Sequence, residues 1–263
     1  MHEFLRKVYW ILSEQVGLDP RRLFRSLRGI PRYLANLLQF RRQYAGALSL
    51  RPCLYDWYEE GGTATSEYFL QDLHVARKIF DASPKRHVDI GSRIDGFVAH
   101  VAAFREVEVF DIRPISSQIP GVVFSQADLM NPVNLKTAYC DSLSCLHALE
   151  HFGLGRYGDP LDAQGYVTGL RSMADLVAPG GLLYLSVPIG QERVEFNAHR
   201  IFDPVALVAL AQTCSLKLVD FAWVEAGKLH QSAAQIDMEL ETLRKRRYTL
   251  GIFTFLKLRG VKS

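Results

Sequence analysis

The stretch His87 to Ile112, HVDIGSRIDGFVAHVAAFREVEVFDI, constrains this chain more than any other. A short apolar run broken by an acid, Val88-Asp89-Ile90, meets a glycine at Gly91. An amphipathic segment, Phe97 to Phe104, follows, and a second apolar run, Val107 to Phe110, ends at Asp111. Strand, glycine turn, helix, strand and acid, in that order, is the pattern of a βαβ unit that binds a nucleotide. A pyrophosphate-binding turn wants G-x-G-x-x-G opening the helix. This turn has only Gly91 and Gly96, with Arg93 between them, so a dinucleotide is the weaker fit.

Upstream, helical periodicity places one helix over 2–16. Asp19-Pro20 caps a second, which Gly29 stops, and Pro31 starts a third that runs to about Tyr44. The aromatic, acidic and glycine-rich segment 54–65 reads as a loop able to close over a site. Ser66 caps a helix over 67–81, with Phe69, Leu70, Leu73, Ala76, Ile79 and Phe80 on its apolar side. Downstream, strands are expected at 122–125, 141–147, 182–187, 216–225 and 248–258, with helices at 163–177 and 204–213 and a polar, partly helical stretch over 228–247. Alternating strands and helices imply an α/β, Rossmann-like, mostly parallel sheet. Seven strands are expected, the last two an antiparallel pair. The domains expected are a basic helical appendage with its loop, 1–65, and a main domain, 66–263.

Composition narrows the class. The 263 residues are 48% hydrophobic and 22% charged, ordinary for a globular protein. No apolar stretch reaches the ~18 residues of a membrane span, and the N-terminus lacks a signal-peptide pattern. Cys53, Cys140, Cys145 and Cys214 show no zinc spacing. A cytoplasmic location is expected. Charge is segregated. Residues 1–51 hold ten Lys/Arg against three acids, a net of +7; the whole chain is +3, so the rest carries −4. Residues 244–263 add seven Lys/Arg and no acid. Basic ends suit an anionic membrane surface or glycolipid. No nucleic-acid partner is expected, and an oligomer is left open.

The succession DIGSRIDG, VEVFDI, QADL, DSLSCLHALEH and APGGLLYLSVP, with a closing strand pair, resembles the class I methyltransferases that use S-adenosylmethionine (SAM), over roughly residues 66–260. The string His147 to Pro160, with DIGSRIDGFVAHV before it and FNAHRIFDP after it, also resembles a bacterial domain family of unknown function that accompanies surface-polysaccharide synthesis genes. The first resemblance implies SAM as cofactor. Asp89 and Gly91 match the acid and first glycine of the D/E-x-G-x-G motif, and Arg93 stands where its second glycine is usual. Asp111 matches the acid that takes the ribose hydroxyls. Asp128 and Leu129 match the adenine side, and His147 ends the strand beside the cofactor.

The chemistry expected is methyl transfer to a sugar hydroxyl, in surface-polysaccharide or nucleotide-sugar metabolism. A hydroxyl needs a general base. His151 and His199 are the candidates, with Glu150 able to orient His151 only where the backbone allows it, since adjacent residues do not face each other on a helix. Arg156, Tyr157, Asp159, Asn197 and Arg200 are candidates for holding a small-molecule or glycan acceptor. A metal at His147, Glu150 and His151 is disfavoured by their close spacing and small number. The alternative is a non-catalytic binding module of the same fold in a polysaccharide-assembly complex.

Overall fold

All four residues of β1 (His87–Ile90) are buried, so this strand sits inside a sheet with a layer on either face. The structure, a computed structural model, describes residues 2–59, 62, 64–132, 135–232 and 234–259. Residues 60, 61 and 63 of the expected closing loop, and 260–263 of the basic C-terminal run, lie outside the described residues. The chain divides into two units, Met1–Thr63 and Ala64–Ser263.

In the larger unit β1 pairs in parallel with β2 (Val107–Asp111) and β4 (Cys140–Leu146). β3 (Val122–Gln126) extends the sheet beyond β2, and β5 (Val177–Ile189) extends it beyond β4, both parallel. A small hairpin, β6 (Arg193–Glu195) and β7 (His199–Ile201), stands apart. β8 (Leu216–Glu225), β9 (Lys228–Gln231) and β10 (Thr249–Lys257) complete the order β3-β2-β1-β4-β5-β10-β8-β9, with antiparallel pairing from β5 onward. The sheet therefore has eight strands, not the expected seven. The extra one, β9, folds back on β8 through Ala226 and Gly227, both at positive φ (51° and 72°). That is the geometry of a two-residue hairpin turn, and β9's polar sequence hid its pairing.

Side-chain alternation along β5 sends Leu183, Leu185 and Val187 to one face and Tyr184 to the other. The first face packs against α5 (Gly165–Leu176), α6 (Pro204–Thr213) and α7 (Ile236–Leu243) through Leu170, Met173, Leu207, Ala211, Leu240 and Leu243. The other face carries α3 (Glu67–Ala82) and the short α4 (Ala99–Ala102). Ser66 caps α3 by accepting from Phe69 N at 3.1 Å. The buried side of α3 differs from the expected one. Phe69, Leu73 and Phe80 are exposed, whereas Gln71, Asp72, Val75, Ala76 and Ile79 are buried. Those five positions share one helical face, and its polar members have buried partners: Ser186 Oγ donates to Gln71 Oε1 at 2.5 Å, and Gln71 Nε2 donates to Asp72 Oδ1 at 2.8 Å.

In the smaller unit, α1 (His2–Trp10) runs into a wider turn ending at Gln15. Asp19 then caps α2 (Pro20–Gln43) by accepting from Arg21 and Arg22 N–H groups. This is one 24-residue helix where two were expected. Gly29 does not stop it. A Cβ there would lie 2.0 Å from the Leu54 carbonyl oxygen, so the glycine serves a close backbone approach. Pro31 costs the helix one N–H donor without ending it.

Candidate active site

The parallel strands all deliver their C-terminal ends to one side of the sheet, where ligands bind in folds of this kind. A cavity of about 310 Å³ opens there. β1 delivers Gly91 to it, β2 Asp111, the loop after β3 Asp128 and Leu129, and β4 His147. The loop beyond β4 adds Glu150, His151, Arg156, Tyr157 and Asp159, and β7 adds His199. Arg93 also lines the cavity. Three expected residues do not. Asp89 is fully buried beneath the glycine turn, Asn197 is an exposed residue outside the lining, and Arg200 is a buried brace. Arg200 donates to the carbonyls of Phe152 and Ala163 and lies over the Tyr166 ring, pinning the loop from inside.

The glycine turn explains itself residue by residue. Gly91 has φ +67°, and a Cβ on it would meet the Ala148 Cβ at 3.1 Å. Asp89 holds the turn from below. It accepts from Ser92 N (3.0 Å), Ser92 Oγ (2.7 Å) and Ser144 Oγ (2.6 Å). Burial raises its pKa to about 6 against those hydrogen bonds. Arg93 has φ −65° and ψ 127°, an extended conformation open to any residue. No glycine is required, and the guanidinium turns to Asp95 (Nη2 to Oδ2, 2.9 Å) and over the Tyr68 ring at 5.2 Å. Gly91 and Arg93 both line the cavity, with the Arg93 guanidinium engaged by Asp95.

Asp111 is nearly buried and already partnered. Arg113 donates Nε to Oδ1 (3.0 Å) and Nη2 to Oδ2 (2.7 Å), and its backbone N–H donates to Oδ1 (2.8 Å). Arg113 lies over the Tyr157 ring at 4.4 Å. Asp128 Oδ1 accepts from Met130 N. Ile90, Phe110, Ile112, Leu129 and Met130 form apolar walls around these acids.

The other half of the cavity is a histidine–carboxylate cluster. His147 adopts φ +54° at the end of β4, a conformation uncommon outside glycine. Its Nδ1 lies 2.8 Å from Glu150 Oε1. Glu150 is buried, and its Oε2 has no hydrogen-bond partner, nor has His147 Nε2. Burial pushes the Glu150 pKa up, but the His147 hydrogen bond and the charges of His147 and His151 outweigh it and hold the carboxyl below its ordinary range. His151 Nδ1 lies 2.7 Å from the Ala198 carbonyl, which only accepts. Nδ1 therefore carries the proton and Nε2 keeps its lone pair, 3.9 Å from Glu150 Oε1. Burial lowers the His151 pKa, with Glu150 opposing. His199 is likewise lowered by burial, with Glu195 opposing. Among the described residues no group of three or more His, Cys, Asp and Glu side chains is placed to hold a metal ion.

The sequence reading missed Glu67, Tyr68, Arg113, Pro188 and Tyr248 in the lining. Tyr248 donates to Glu67 Oε2 at 2.7 Å, and the Tyr68 ring lies 4.5 Å from that of His147. Only Arg113, two residues after Asp111, had a local signal.

A sequence family described as "Caenorhabditis protein of unknown function, DUF268" matches residues 122–257, just over half of the chain. The chain belongs to that family. The match runs from β3 to β10 and includes the histidine–carboxylate loop; Gly91 and Asp111 lie before it. The family's description names Caenorhabditis, not the bacterial polysaccharide family expected. No curated protein matches the sequence. Among solved structures, the chain is similar to the 1,6-didemethyltoxoflavin-N1-methyltransferase of Burkholderia thailandensis, determined with bound 1,6-didemethyltoxoflavin and S-adenosylhomocysteine. That pair is 16% identical over 78% of this chain and 81% of the other, with a TM-score of 0.51. The [4+2]-cyclase SpnF is similar at 12% identity over 87% and 94% of the two chains, TM-score 0.53. At such identities the likeness is one of fold: the α/β, Rossmann-like methyltransferase fold. SpnF's description shows that this fold does not dictate methyl transfer.

Proposed function

We propose that this protein is a SAM-dependent methyltransferase acting on a sugar hydroxyl. The observation that carries the reading is the convergence, in one cavity, of a side-chain-free backbone at Gly91, carboxylates at Asp111 and Asp128, and His151 with a free Nε2 lone pair. The donor set fits the cofactor. Asp111 suits a vicinal diol, since a carboxylate accepts two hydrogen bonds. Asp128 suits an exocyclic amine between the apolar walls of Phe110, Leu129 and Met130. SAM, when bound, would supply an activated methyl group.

The chain's own residues supply positioning and proton removal. His151 is the proposed base. Its lowered pKa leaves Nε2 unprotonated at neutral pH, and Glu150 is close enough to favour the imidazolium after a proton is taken. His199 is the second candidate base. Arg156, Tyr157 and Asp159 stand at the same cavity and would hold the acceptor. A surface-polysaccharide or nucleotide-sugar acceptor is supported by the polar character of this half and by the need of a hydroxyl for a base.

Titration calorimetry of the purified full chain with SAM and S-adenosylhomocysteine tests the cofactor reading. Asp111→Ala should weaken binding about 100-fold, the loss of two charge-assisted hydrogen bonds. Unchanged affinity in that variant overturns the assignment. Transfer of labelled methyl to nucleotide sugars and lipid-linked glycans tests the acceptor.

A second reading, a non-catalytic binding module in an assembly complex, is favoured by one observation: Arg113 already occupies both oxygens of Asp111 with its guanidinium. Absence of heat in both the natural protein and Arg113→Ala would select it.

A further inference from the structure

The 24 residues of α2 contain seven arginines and no acid. They also contain a stripe that the fold leaves open. Leu23, Phe24, Leu27, Leu34 and Leu38 are each 50% to 66% exposed, and Ile30 is 38% exposed. Their spacing places all six on one side of the helix. A self-contained unit would bury this side and expose the other. Here the one buried position of the helix, Gly29, lies on the other side. The segment 54–58 covers the opposite side: Leu54 closes on Gly29, Tyr55 stacks under Arg22 (4.6 Å), Tyr58 under Arg28 (5.5 Å) and Trp57 under Arg32 (3.9 Å). Aromatic faces there shield the arginines from one another, while a contiguous apolar stripe remains uncovered, which marks an interaction surface.

Beside the stripe a cavity of about 570 Å³ is lined by Tyr9, Arg21, Phe24, Arg25, Arg28 and Tyr58, together with Pro20. Three guanidinium side chains and no carboxylate line it, and Phe24 belongs to both cavity and stripe. The surface therefore asks for a partner with an anionic group next to an extended apolar phase. A second copy of α2 would cover the stripe but brings seven more arginines and no acid. A nucleic acid would meet the arginines and leave six apolar side chains uncovered. Among the described residues no helix is long and apolar enough to cross a membrane, so the helix would lie on a bilayer, not through it.

The geometry points to α2 as an interfacial helix that docks the protein on an anionic lipid bilayer. The Leu23–Leu38 stripe enters the acyl boundary, and Arg21, Arg25 and Arg28 receive lipid phosphate. This inference concerns the smaller unit and stands whether or not the cavity in the larger unit binds SAM.

The test is co-sedimentation of the full-length protein with vesicles of phosphatidylcholine alone and of phosphatidylcholine with about one third phosphatidylglycerol. Binding to the anionic vesicles and weakening in salt are expected. Leu27→Glu with Leu34→Glu should lower binding about tenfold or more, and Arg21→Ala, Arg25→Ala and Arg28→Ala about fivefold each. The circular dichroism spectrum should stay unchanged, since the substituted side chains are exposed. No sedimentation of the natural protein overturns the inference. Retained binding in the double glutamate variant also overturns it, because it would leave a charge surface only, such as the basic C-terminal run supplies. Light scattering that shows a dimer broken by Leu27→Glu, without vesicle binding, would assign the stripe to a second copy instead.

Discussion

His87 and Asp89, one residue apart on β1, should make stability depend on pH in opposite directions. His87 is buried between two hydroxyls, Ser142 Oγ at 2.8 Å and Ser144 Oγ at 3.1 Å, and burial drives its pKa from 6.5 to about 3. Asp89 is driven up, from 3.8 to about 6. A lowered histidine contributes stability that is whole above 6.5 and is lost as pH falls toward 3. Between about pH 7.5 and pH 5 the unfolded imidazole takes up a proton that the folded one refuses, a loss of about 2 kcal/mol. A raised carboxyl contributes stability that is whole below 3.8 and is lost as pH rises through 6. Over the same acidification it gains about 1.4 kcal/mol. The two nearly cancel in the natural protein, so substitution should uncover each. His87→Gln keeps a hydrogen-bonding amide and removes the titration. Its stability relative to the natural protein should improve by about 2 kcal/mol on going from about pH 7.5 to pH 5. Asp89→Asn should worsen by about 1.4 kcal/mol. Urea unfolding followed by near-ultraviolet circular dichroism at both pH values measures this. A His87→Gln curve parallel to that of the natural protein would refute the argument, because a histidine that titrates normally when folded adds no pH dependence.

Arg113→Ala removes both guanidinium hydrogen bonds to Asp111 and keeps only the backbone one to Oδ1, so calorimetry should find SAM binding as tight as in the natural protein or tighter, by up to about fivefold, the worth of a partly exposed ion pair. His151→Ala should leave SAM affinity nearly unchanged and lower turnover about 10²- to 10⁴-fold. Because burial lowers the His151 pKa, the acid limb of the pH–rate profile should fall below 6.5, and a limb above it would point to another base. Gly153→Ala places a Cβ 1.9 Å from the Asp162 carbonyl oxygen at a φ of +75°. It should cost about 2 kcal/mol or more in urea unfolding or release the 153–162 loop, and a neutral result would show that this loop does not need its glycine.

Much of the larger unit was legible locally. Val88-Asp89-Ile90 and Val107 to Phe110 read as strands because both faces of a parallel strand are buried and its sequence is apolar on both. Asp111, Asp128 and His147 were placed near one another by ending strands of one direction. Ser66 and Asp19 read as caps because capping is local hydrogen bonding. The buried side of α3 was not legible. Its apolar residues pointed to Phe69 and Phe80, but the facing Ser186, 115 residues from Gln71, decided that Gln71 would go inside.

The order of strand, glycine turn and acid, written in neighbouring residues, determined by itself that this chain builds a nucleotide-type βαβ unit with its acids at the strand ends. Backbone preference and side-chain period act over a few residues, so sequence alone carries them. Only the tertiary structure decided that Asp89 serves beneath the turn while Asp111 faces the cavity, that Arg93 needs no glycine's freedom, and that Arg200 braces a loop from outside the cavity lining. It also decided that α2 runs unbroken past Gly29 and Pro31 with its leucines open. Those outcomes depend on contacts between residues tens of positions apart, where burial and partner geometry, not local propensity, set the role of a side chain.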